Sequence, residues 1–392
     1  MKSGITRRLG EIADVQQGYT FKPGYQGQSA GEWIYAKVAD IGSPSSSKYL
    51  RKSLNYVSSE VLREMRATPF PAGSIVFPRV GAALRNNNKR ILAEDSLTDD
   101  NVLVVTVRDK DICDPEYLYY WFDFHDLQDF CNSGTVPVIN GRNLKLQDVP
   151  LPNIQIQRKT AGILSVWDDA IEKCKRLSEA KEQHYIHELS RLISRAHHPH
   201  SHIGAFAREL SERNRQGNER VLSVTNSRGF VLPEEQFERR VASTDLSNYK
   251  VVRRGQYAYN PSRINVGSIA RLDGWDDGVL SPMYVVFEID ETKAESDYFV
   301  HWLDSHEARQ RIKNSAQGSV RETVSFGDFA AIHFPLPERQ RQTSIAAYLS
   351  CLRNEIGLLE RQTNQLRLQK RGLMQKLLTG EWRVPVAEEA VA

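Results

Sequence analysis

The stretches LPNIQIQRKTAGIL (151–164) and LPERQRQTSIAAYL (336–349) decide the fold, because the second repeats the first. The offset from Leu151 to Leu336 is 185 residues, and Gln157 and Gln342 stand at the same offset. Each stretch opens with Leu-Pro and continues as a charged segment whose apolar residues have helical spacing. Solenoid repeats have periods of roughly 20 to 50 residues, so this much longer period excludes them. The sequence therefore predicts a globular domain followed by a long helix, made twice as a pseudo-twofold internal repeat.

The repeat extends upstream into the globular parts. Tyr117 and Trp121 match Tyr298 and Trp302 at an offset of 181 residues. Short apolar runs bounded by Gly, Pro and Asp predict buried strands, and an aromatic run that begins with proline predicts a helix. These runs are SIVFPRV (74–80), NVLVVTV (101–107) and PEYLYYWFDF (115–124), answered by GQYAYNPSR (255–263), MYVVFEI (283–289) and SDYFVHWL (296–303). The mixture predicts an α/β (α+β) globule that is built twice.

Both long helices carry heptad-like seams, and we expect them to end near Ile193 and Leu378. The second seam has two polar intrusions and the first is more polar. Their positions are Ile171, Cys174, Ser178, Lys181, Tyr185, Glu188 and Leu192 in the first helix, and Ile356, Leu359, Thr363, Leu366, Lys370, Leu373 and Leu377 in the second. Roughly 40 residues give about 60 Å of helix. Helices with such thin apolar stripes need a partner, and we expect them to pair as an antiparallel coiled coil. The alternative is that each helix packs only on its own globule.

The repeat also predicts the domain boundaries. The expected order is a globular domain at 1–152, a helical spacer at 153–196, a second globule at 197–337, a second spacer at 338–380 and a tail at 381–392. The histidine-rich stretch HHPHSH (197–202) is interpreted as a solvated linker, because Pro199 breaks any regular ligand spacing.

Composition limits the class of protein. A chain of 392 residues is long enough for two ordinary domains. Four cysteines lie far apart and no apolar run approaches a membrane span, so we expect a cytoplasmic protein with reduced thiols. The net charge of +3 is too small to predict or exclude a polyanionic partner, so local charge must decide.

Motifs for catalysis are missing from the sequence. There is no phosphate loop of the GxxxxGK[ST] type and no HExxH. Asn260-Pro261-Ser262-Arg263 begins like an amino-methyltransferase motif, but Ser and Arg replace the required proline and aromatic residue. We therefore expect a non-catalytic protein with no cofactor and no metal.

Basic and amide side chains recur just past the same predicted strand in both copies. The loops are GAALRNNNKR (81–90) and NPSRINVGS (260–268), and a second loop pair is found at 133–143 and 315–325. Arg and Lys bind phosphate and guanine, while Asn binds adenine through two hydrogen bonds. The alternative is that these are ordinary solvated loops. The candidate DNA-binding residues are Arg79, Arg85, Asn86, Asn87, Asn88, Lys89, Arg90, Arg142, Asn260, Ser262, Arg263, Asn265 and Arg321.

Over nearly its whole length the chain resembles the specificity subunits of type I restriction–modification systems. The segments that carry the resemblance are 151–171, 334–350, 251–270, 279–287 and GLMQKLLTGEWRV (372–384). The resemblance implies that each globule is a target-recognition domain that reads one half of a bipartite double-stranded DNA target. It also implies that the helices set the spacer and dock two modification (methyltransferase) subunits, and that motor–nuclease restriction subunits complete the complex.

The helix residues then expected to contact partners are Gln157, Leu164, Trp167, Ile171, Gln342, Leu349, Leu352 and Ile356. The first helix departs from the pattern in its polar seam and in lacking an LLTGEW-type ending. Two other functions stay open from the sequence: a stand-alone DNA-modifying enzyme, and a coiled-coil scaffold with no DNA role.

Overall fold

The computed structural model describes residues 5–43, 48–132, 136–233, 245–315 and 323–385. The chain forms two compact units, Met1–Arg176 together with Glu360–Ala392, and Leu177–Leu359. Each unit contains one globule and one half of each long helix.

A five-stranded sheet forms the centre of the first unit. Its strands, in spatial order, are Ala13–Gln17, Val102–Val107, Ile75–Pro78, Arg90–Leu92 and Tyr49–Leu50. The first four are antiparallel, and the last pairs in parallel with its neighbour. Val102–Val107 and Ile75–Pro78 are the two strands predicted at 101–107 and 74–80, so both predictions are confirmed. Their side chains are almost entirely buried, as unbroken apolar runs require.

Smaller elements surround this sheet in the first unit. A three-stranded sheet consists of Tyr56–Val57, Trp33–Ala36 and Ser96–Thr98. Ile5–Arg8 pairs antiparallel with Asp148–Leu151. The short helices are Leu9–Ile12, Val38–Gly42, Ser59–Met65 and Gly141–Leu144, and the 3-10 turns are Pro23–Tyr25, Gly81–Asn86 and Leu127–Phe130.

The second unit repeats the central sheet with the same topology. Its strands, in spatial order, are Ala207–Leu210, Val285–Ile289, Tyr257–Tyr259 and Ile269–Arg271, all antiparallel. Their order matches the first four strands of the first unit, element by element. The predicted duplication of the globule is therefore confirmed.

The elements around the second sheet differ from those in the first unit. Ser223–Thr225 pairs with Gly229–Val231, and Lys250–Arg253 pairs with Asp277–Leu280. His200–His202 pairs with His333–Pro335, so the interpretation of 197–202 as a linker was wrong for its last three residues. The remaining elements are the helices Ser296–Asp304, His306–Ser315 and Phe326–Ala330 and the 3-10 turns Ile203–Ala205 and Ile264–Val266.

An aromatic helix packs in the core of each globule. Pro115–Phe124 is capped by Asp114, whose carboxylate accepts from Tyr117 N at 2.9 Å. Ser296–Asp304 is capped in the same way by Glu295. Proline at the first helical position and an acidic cap both favour helix initiation. Both helices lie where the sequence predicted them.

The first long helix spans Ile154–Leu189 and continues as a single π-helical turn, Ser190–Ser194. The second long helix spans Arg339–Leu378. Both end where the heptad patterns predicted. No helix in the described ranges is long and apolar enough to cross a membrane.

The two long helices pair antiparallel within each unit. In the first unit Ile156 and Leu378 line one pocket, while Lys370 bonds Asp168 one to three turns further along. In the second unit Lys181 bonds Glu355 at 2.7 Å and the Arg353 guanidinium lies over the Tyr185 ring at 4.5 Å. In both, rising numbers on one helix meet falling numbers on the other.

The same helices also pack on their globules. Ala161 and Leu164 share an apolar core with the aromatic helix and with Met374 and Leu378. The second unit has an equivalent core that joins Tyr185, Leu189, Leu349 and Ile356 to its aromatic helix. The two packing modes that the sequence left as alternatives therefore occur together.

A buried glutamine joins each long helix to the aromatic helix of its globule. The Gln157 carbonyl accepts from Asp114 N at 2.9 Å, and its amide donates to Pro152 O at 2.8 Å and Ile112 O at 3.0 Å. The equivalent Gln342 carbonyl accepts from Glu295 N at 2.8 Å, and its amide donates to Pro337 O at 2.8 Å. The side chain thus satisfies backbone groups that the Pro-bounded entry would otherwise leave buried and unpaired.

Replacing Gln157 by alanine should lower the free energy of unfolding of the first unit by about 2–4 kcal/mol, because buried backbone groups lose their partners. Denaturant unfolding followed by tryptophan fluorescence measures the change. Gln155→Ala is the matched control, because this glutamine is exposed on the same turn of helix. Equal losses in the two variants would contradict the structural role of Gln157.

Candidate nucleic-acid interface

Two basic loops lie at the same end of the central sheet in each unit. The first basic loop, residues 79–90, leaves the strand Ile75–Pro78 and contains the 3-10 turn Gly81–Asn86. The second basic loop, residues 260–268, leaves the strand Tyr257–Tyr259 and contains the 3-10 turn Ile264–Val266. In both units the loop returns through the next antiparallel strand.

Part of the first basic loop faces inward. Lys89 is only 2% exposed, and its ammonium donates to Asn87 Oδ1 at 2.7 Å and to His125 O at 2.9 Å. Asn87 adopts a left-handed conformation with φ of 53°, and its side-chain oxygen also accepts from Leu127 N at 2.8 Å. Burial lowers the pKa of Lys89 to about 8, with Asp123, Asp126 and Asp129 opposing that shift. The structure places Asn87 and Lys89 in the packing beneath the loop.

Arg79 and Arg90 are half-buried at the ends of the first basic loop. Arg79 donates to Gln17 Oε1 at 2.6 Å, and Arg90 donates to the Lys89 carbonyl at 2.7 Å. Burial lowers the pKa of Arg90 from its ordinary value. Both side chains support the loop.

The outward face of the loop carries Arg85 and Asn86, which are exposed, and Asn88, which is half-buried. Within the described residues, the Arg85 guanidinium has no carboxylate at ion-pair distance. The segment that leads to Arg142 lies against this loop, because Gly81 N donates to Pro137 O at 3.1 Å and Val80 pairs with Val138. Arg142 is exposed on the short helix Gly141–Leu144. The structure thus brings the two loops predicted in the first copy side by side.

The second basic loop is held by its own backbone. Asn260 Oδ1 accepts from Ser262 N at 3.0 Å, and the Arg263 carbonyl accepts from Ser268 N at 3.1 Å. Asn260 is therefore a turn-forming residue. Ser262 and Arg263 are exposed, and Asn265 is half-buried. Arg321, the remaining candidate, lies outside the described residues.

A cleft of about 760 Å³ opens beside the second basic loop. Its lining includes Asn226, Arg228, Asn265, Trp275 and Arg309. The sequence reasoning missed all of these except Asn265. The signals available were the turn sequence TNSRG (225–229), which forms a tight hairpin, and the isolated tryptophan in DGWDDG (273–278).

The helix residues expected to meet partners mostly face inward. Gln157, Leu164, Ile171, Gln342, Leu349, Leu352 and Ile356 are buried in their own units, and only Trp167 is partly exposed. A different face of each helix carries exposed side chains at equivalent positions. Ile163 and Val166 are 37% and 67% exposed, and Tyr348 and Cys351 stand 185 residues further on, exposed as well. We call these pairs the outer stripes. Reading the same offset on every helix face would have found them.

A polar cluster lies where the long helices meet the aromatic helix of the first unit. The Lys370 ammonium bonds Asp168 at 2.7 Å and Asp123 at 3.0 Å, and the Tyr120 hydroxyl donates to Asp168 at 2.6 Å. Lys48 lies beside these groups, bonded to Glu116 at 2.9 Å. We call Tyr120, Asp123, Asp168 and Lys370 the first junction cluster.

The second junction cluster occupies the equivalent place in the second unit. Its members are Tyr185, His301, Asp304 and Arg353. Arg353 bonds Asp304 at 2.7 Å, and the Tyr185 hydroxyl lies 3.0 Å from His301 Nδ1 and 3.3 Å from Asp304. Burial lowers the pKa of His301 to about 4, and the neighbouring Arg353 guanidinium lowers it further. His301 is therefore neutral at neutral pH.

Comparison with known proteins agrees with this architecture. Residues 4–182 match the family described as the type I restriction modification DNA specificity domain. The specificity subunit of the type I restriction enzyme MjaIX from Methanocaldococcus jannaschii is 28% identical over 142 residues, or 34% of this chain and 31% of that protein. The sequence match thus spans about a third of the curated relative.

Two solved structures share the fold over nearly the whole chain. The type I restriction–modification S subunit from M. genitalium aligns with a TM-score of 0.61 at 15% identity, covering 96% of each chain. A chain from a structure on complex assembly and conformational transition of the type I R-M system aligns with a TM-score of 0.54 at 13% identity, covering 97% of this chain and 99% of that one.

The duplicated globule and helix define a protein of the specificity-subunit class. The chain belongs to the type I restriction–modification specificity family, as its sequence resemblance indicated.

The buried histidine predicts a pH dependence of stability. Because the folded pKa of His301 lies below its ordinary value of 6.5, the unfolded chain binds more protons between about pH 6.5 and 4. The stabilisation from neutral His301 is complete above pH 6.5 and decreases as the pH falls toward 4, by about 3 kcal/mol in total. Unfolding free energies of wild type and His301→Gln, measured at several pH values, should differ in slope within this window. Parallel curves would contradict the assignment.

Proposed function

We propose that this chain is the DNA-sequence specificity subunit of a type I restriction–modification complex, and that each unit reads one half of a bipartite target. The observation that carries the proposal is that a basic, amide-rich loop occupies the same place on the same sheet in both units. A protein that reads an interrupted duplex needs two such surfaces, and their different sequences allow two different half-sites.

In the first unit the reading surface consists of Arg85, Asn86, Asn88 and Arg142. Arginine can bond guanine through two donors and asparagine can bond adenine through a donor and an acceptor, so this set can contact both bases and phosphates. Lys89, Asn87, Arg79 and Arg90 hold the loop in shape instead, as their internal hydrogen bonds support.

In the second unit the reading surface consists of Ser262, Arg263 and Asn265 together with the neighbouring cleft. The cleft supplies amide and guanidinium groups from Asn226 and Arg309 and an aromatic surface from Trp275. Arginine and amide groups beside an exposed ring suit contacts with phosphates and base edges.

The chain itself is non-catalytic in this proposal. Methylation of a base in a duplex requires the base to be flipped into an enzyme pocket, so two methyltransferase subunits must lie close to the bound DNA. Motor–nuclease subunits would join them for restriction. The outer stripes suit such docking, because exposed apolar side chains recur at equivalent positions on both helices.

The test of DNA reading uses the full chain together with its modification subunits and a library of randomised duplexes. Arg85→Ala should relax base preference in one half-site by about 1–3 kcal/mol, and Arg263→Ala in the other. Sequencing of the bound DNA reports both half-sites at once.

Lys110→Ala and Lys293→Ala are the matched controls, because these exposed lysines follow the opposite ends of the strands Val102–Val107 and Val285–Ile289. They should leave both half-sites unchanged. Uniform weakening with Arg85→Ala and Arg263→Ala, without any change in preference, would make these residues phosphate contacts and contradict their role in reading.

The outer stripes can be tested by the stoichiometry of the complex. Val166→Glu should remove one modification subunit and Cys351→Glu the other, because a charge on an apolar contact is costly to bury. Native mass spectrometry counts the subunits. Glu172→Lys, a charge change on another flank of the first long helix, is the control and should leave two bound. Loss of neither subunit in the two stripe variants would place the docking surface elsewhere.

A further inference from the structure

The two junction clusters are equivalent positions of the repeat. At the aromatic-helix offset of 181, Tyr120 corresponds to His301 and Asp123 to Asp304. At the long-helix offset of 185, Asp168 corresponds to Arg353 and Lys370 to Tyr185.

Burial follows the same correspondence along the helices. Met374 and Leu189 are each 4% exposed, and Leu378 and Ile193 are both buried one turn further on. The two units therefore use one helix register, and their clusters can be compared position by position.

The charges in the two clusters are reversed. In the first unit an acid on the first long helix, Asp168, meets a cation on the second, Lys370. In the second unit the cation, Arg353, is on the second long helix and the first helix supplies the uncharged Tyr185. We propose that this reversal makes the two halves of the chain pair with each other and reject homotypic pairing with a second copy of the chain.

Homotypic pairing of two first halves would replace Lys370 by the tyrosine of the other copy. Asp123 and Asp168 would then share a half-buried site without that cation, and the adjacent Lys48 is already bonded to Glu116. Like charges at this distance repel strongly when they are removed from water.

Homotypic pairing of two second halves would fail for the opposite reason. The ammonium of Lys370 would take the place of Tyr185, directly against the Arg353 guanidinium. Asp304 would be the one carboxylate of the cluster left to balance two cations, since His301 is neutral.

A second pair of positions carries the same preference independently. Lys181 bonds Glu355 in the second unit, while their equivalents in the first unit are Leu366 and Ala170, both partly buried. The native arrangement therefore matches charge with charge and apolar with apolar. Homotypic pairing would set Lys181 against Ala170 and Glu355 against Leu366.

The test uses the full chain with a protease site inserted at Ala196–His198, so that both halves are present after cleavage. The nicked protein is denatured, refolded and analysed by native mass spectrometry, which separates the three possible pairs by mass. Wild type should give at least nine-tenths of the mixed pair. A distribution near one to two to one would overturn the proposal.

The variant Tyr185→Lys/Arg353→Asp copies the first junction cluster into the second unit. It keeps opposite charges together in every pairing, so both homotypic pairs should appear at about a quarter each. Tyr185→Phe/Arg353→Lys keeps the original polarity and is the control, expected to retain the mixed pair. A double charge variant that still gave only the mixed pair would contradict the proposal.

Intact, uncleaved chain provides a readout that does not depend on refolding of fragments. Tyr185→Lys and Arg353→Asp should each lower the melting temperature, and the double variant should recover most of the loss. Additive losses would mean that the two positions do not form a reciprocal charge pair, which would overturn the proposal.

Discussion

The carboxamide of one buried glutamine in each unit is the interaction on which the rest of the structure depends. Gln157 and Gln342 each connect the entry of a long helix to the capped start of an aromatic helix, through bonds to backbone groups. The direction of the long helix is thereby fixed relative to its globule. The apolar cores, the antiparallel pairing and the junction clusters all follow from that direction.

Much of the architecture could be predicted from sequence, because a repeat makes each weak signal count twice. The strands at 75–78 and 102–107, the aromatic helices and both long-helix ends were visible as apolar period, caps and prolines. The polar seam of the first long helix, which looked like a weakness, contains Tyr185 and Lys181, and both have specific partners on the other helix.

The candidate site could be predicted only coarsely, because composition does not reveal direction. RNNNKR reads as a solvated basic run, yet Lys89 points inward to a backbone carbonyl and Asn87 takes a left-handed turn. Only the fold can decide which members of such a run face solvent. The same limit hid the outer stripes, since Val166 and Leu164 are equally apolar in the sequence but face opposite ways.

The central sheets share one strand order, while everything attached to them differs between the units. Each basic loop begins and ends on neighbouring antiparallel strands, so its length can change without moving the sheet that carries it. Mutations that alter the loops thus leave the helix entries and their glutamines untouched. In evolutionary terms the molecule can acquire new targets by exchanging surface segments, at no cost to its assembly.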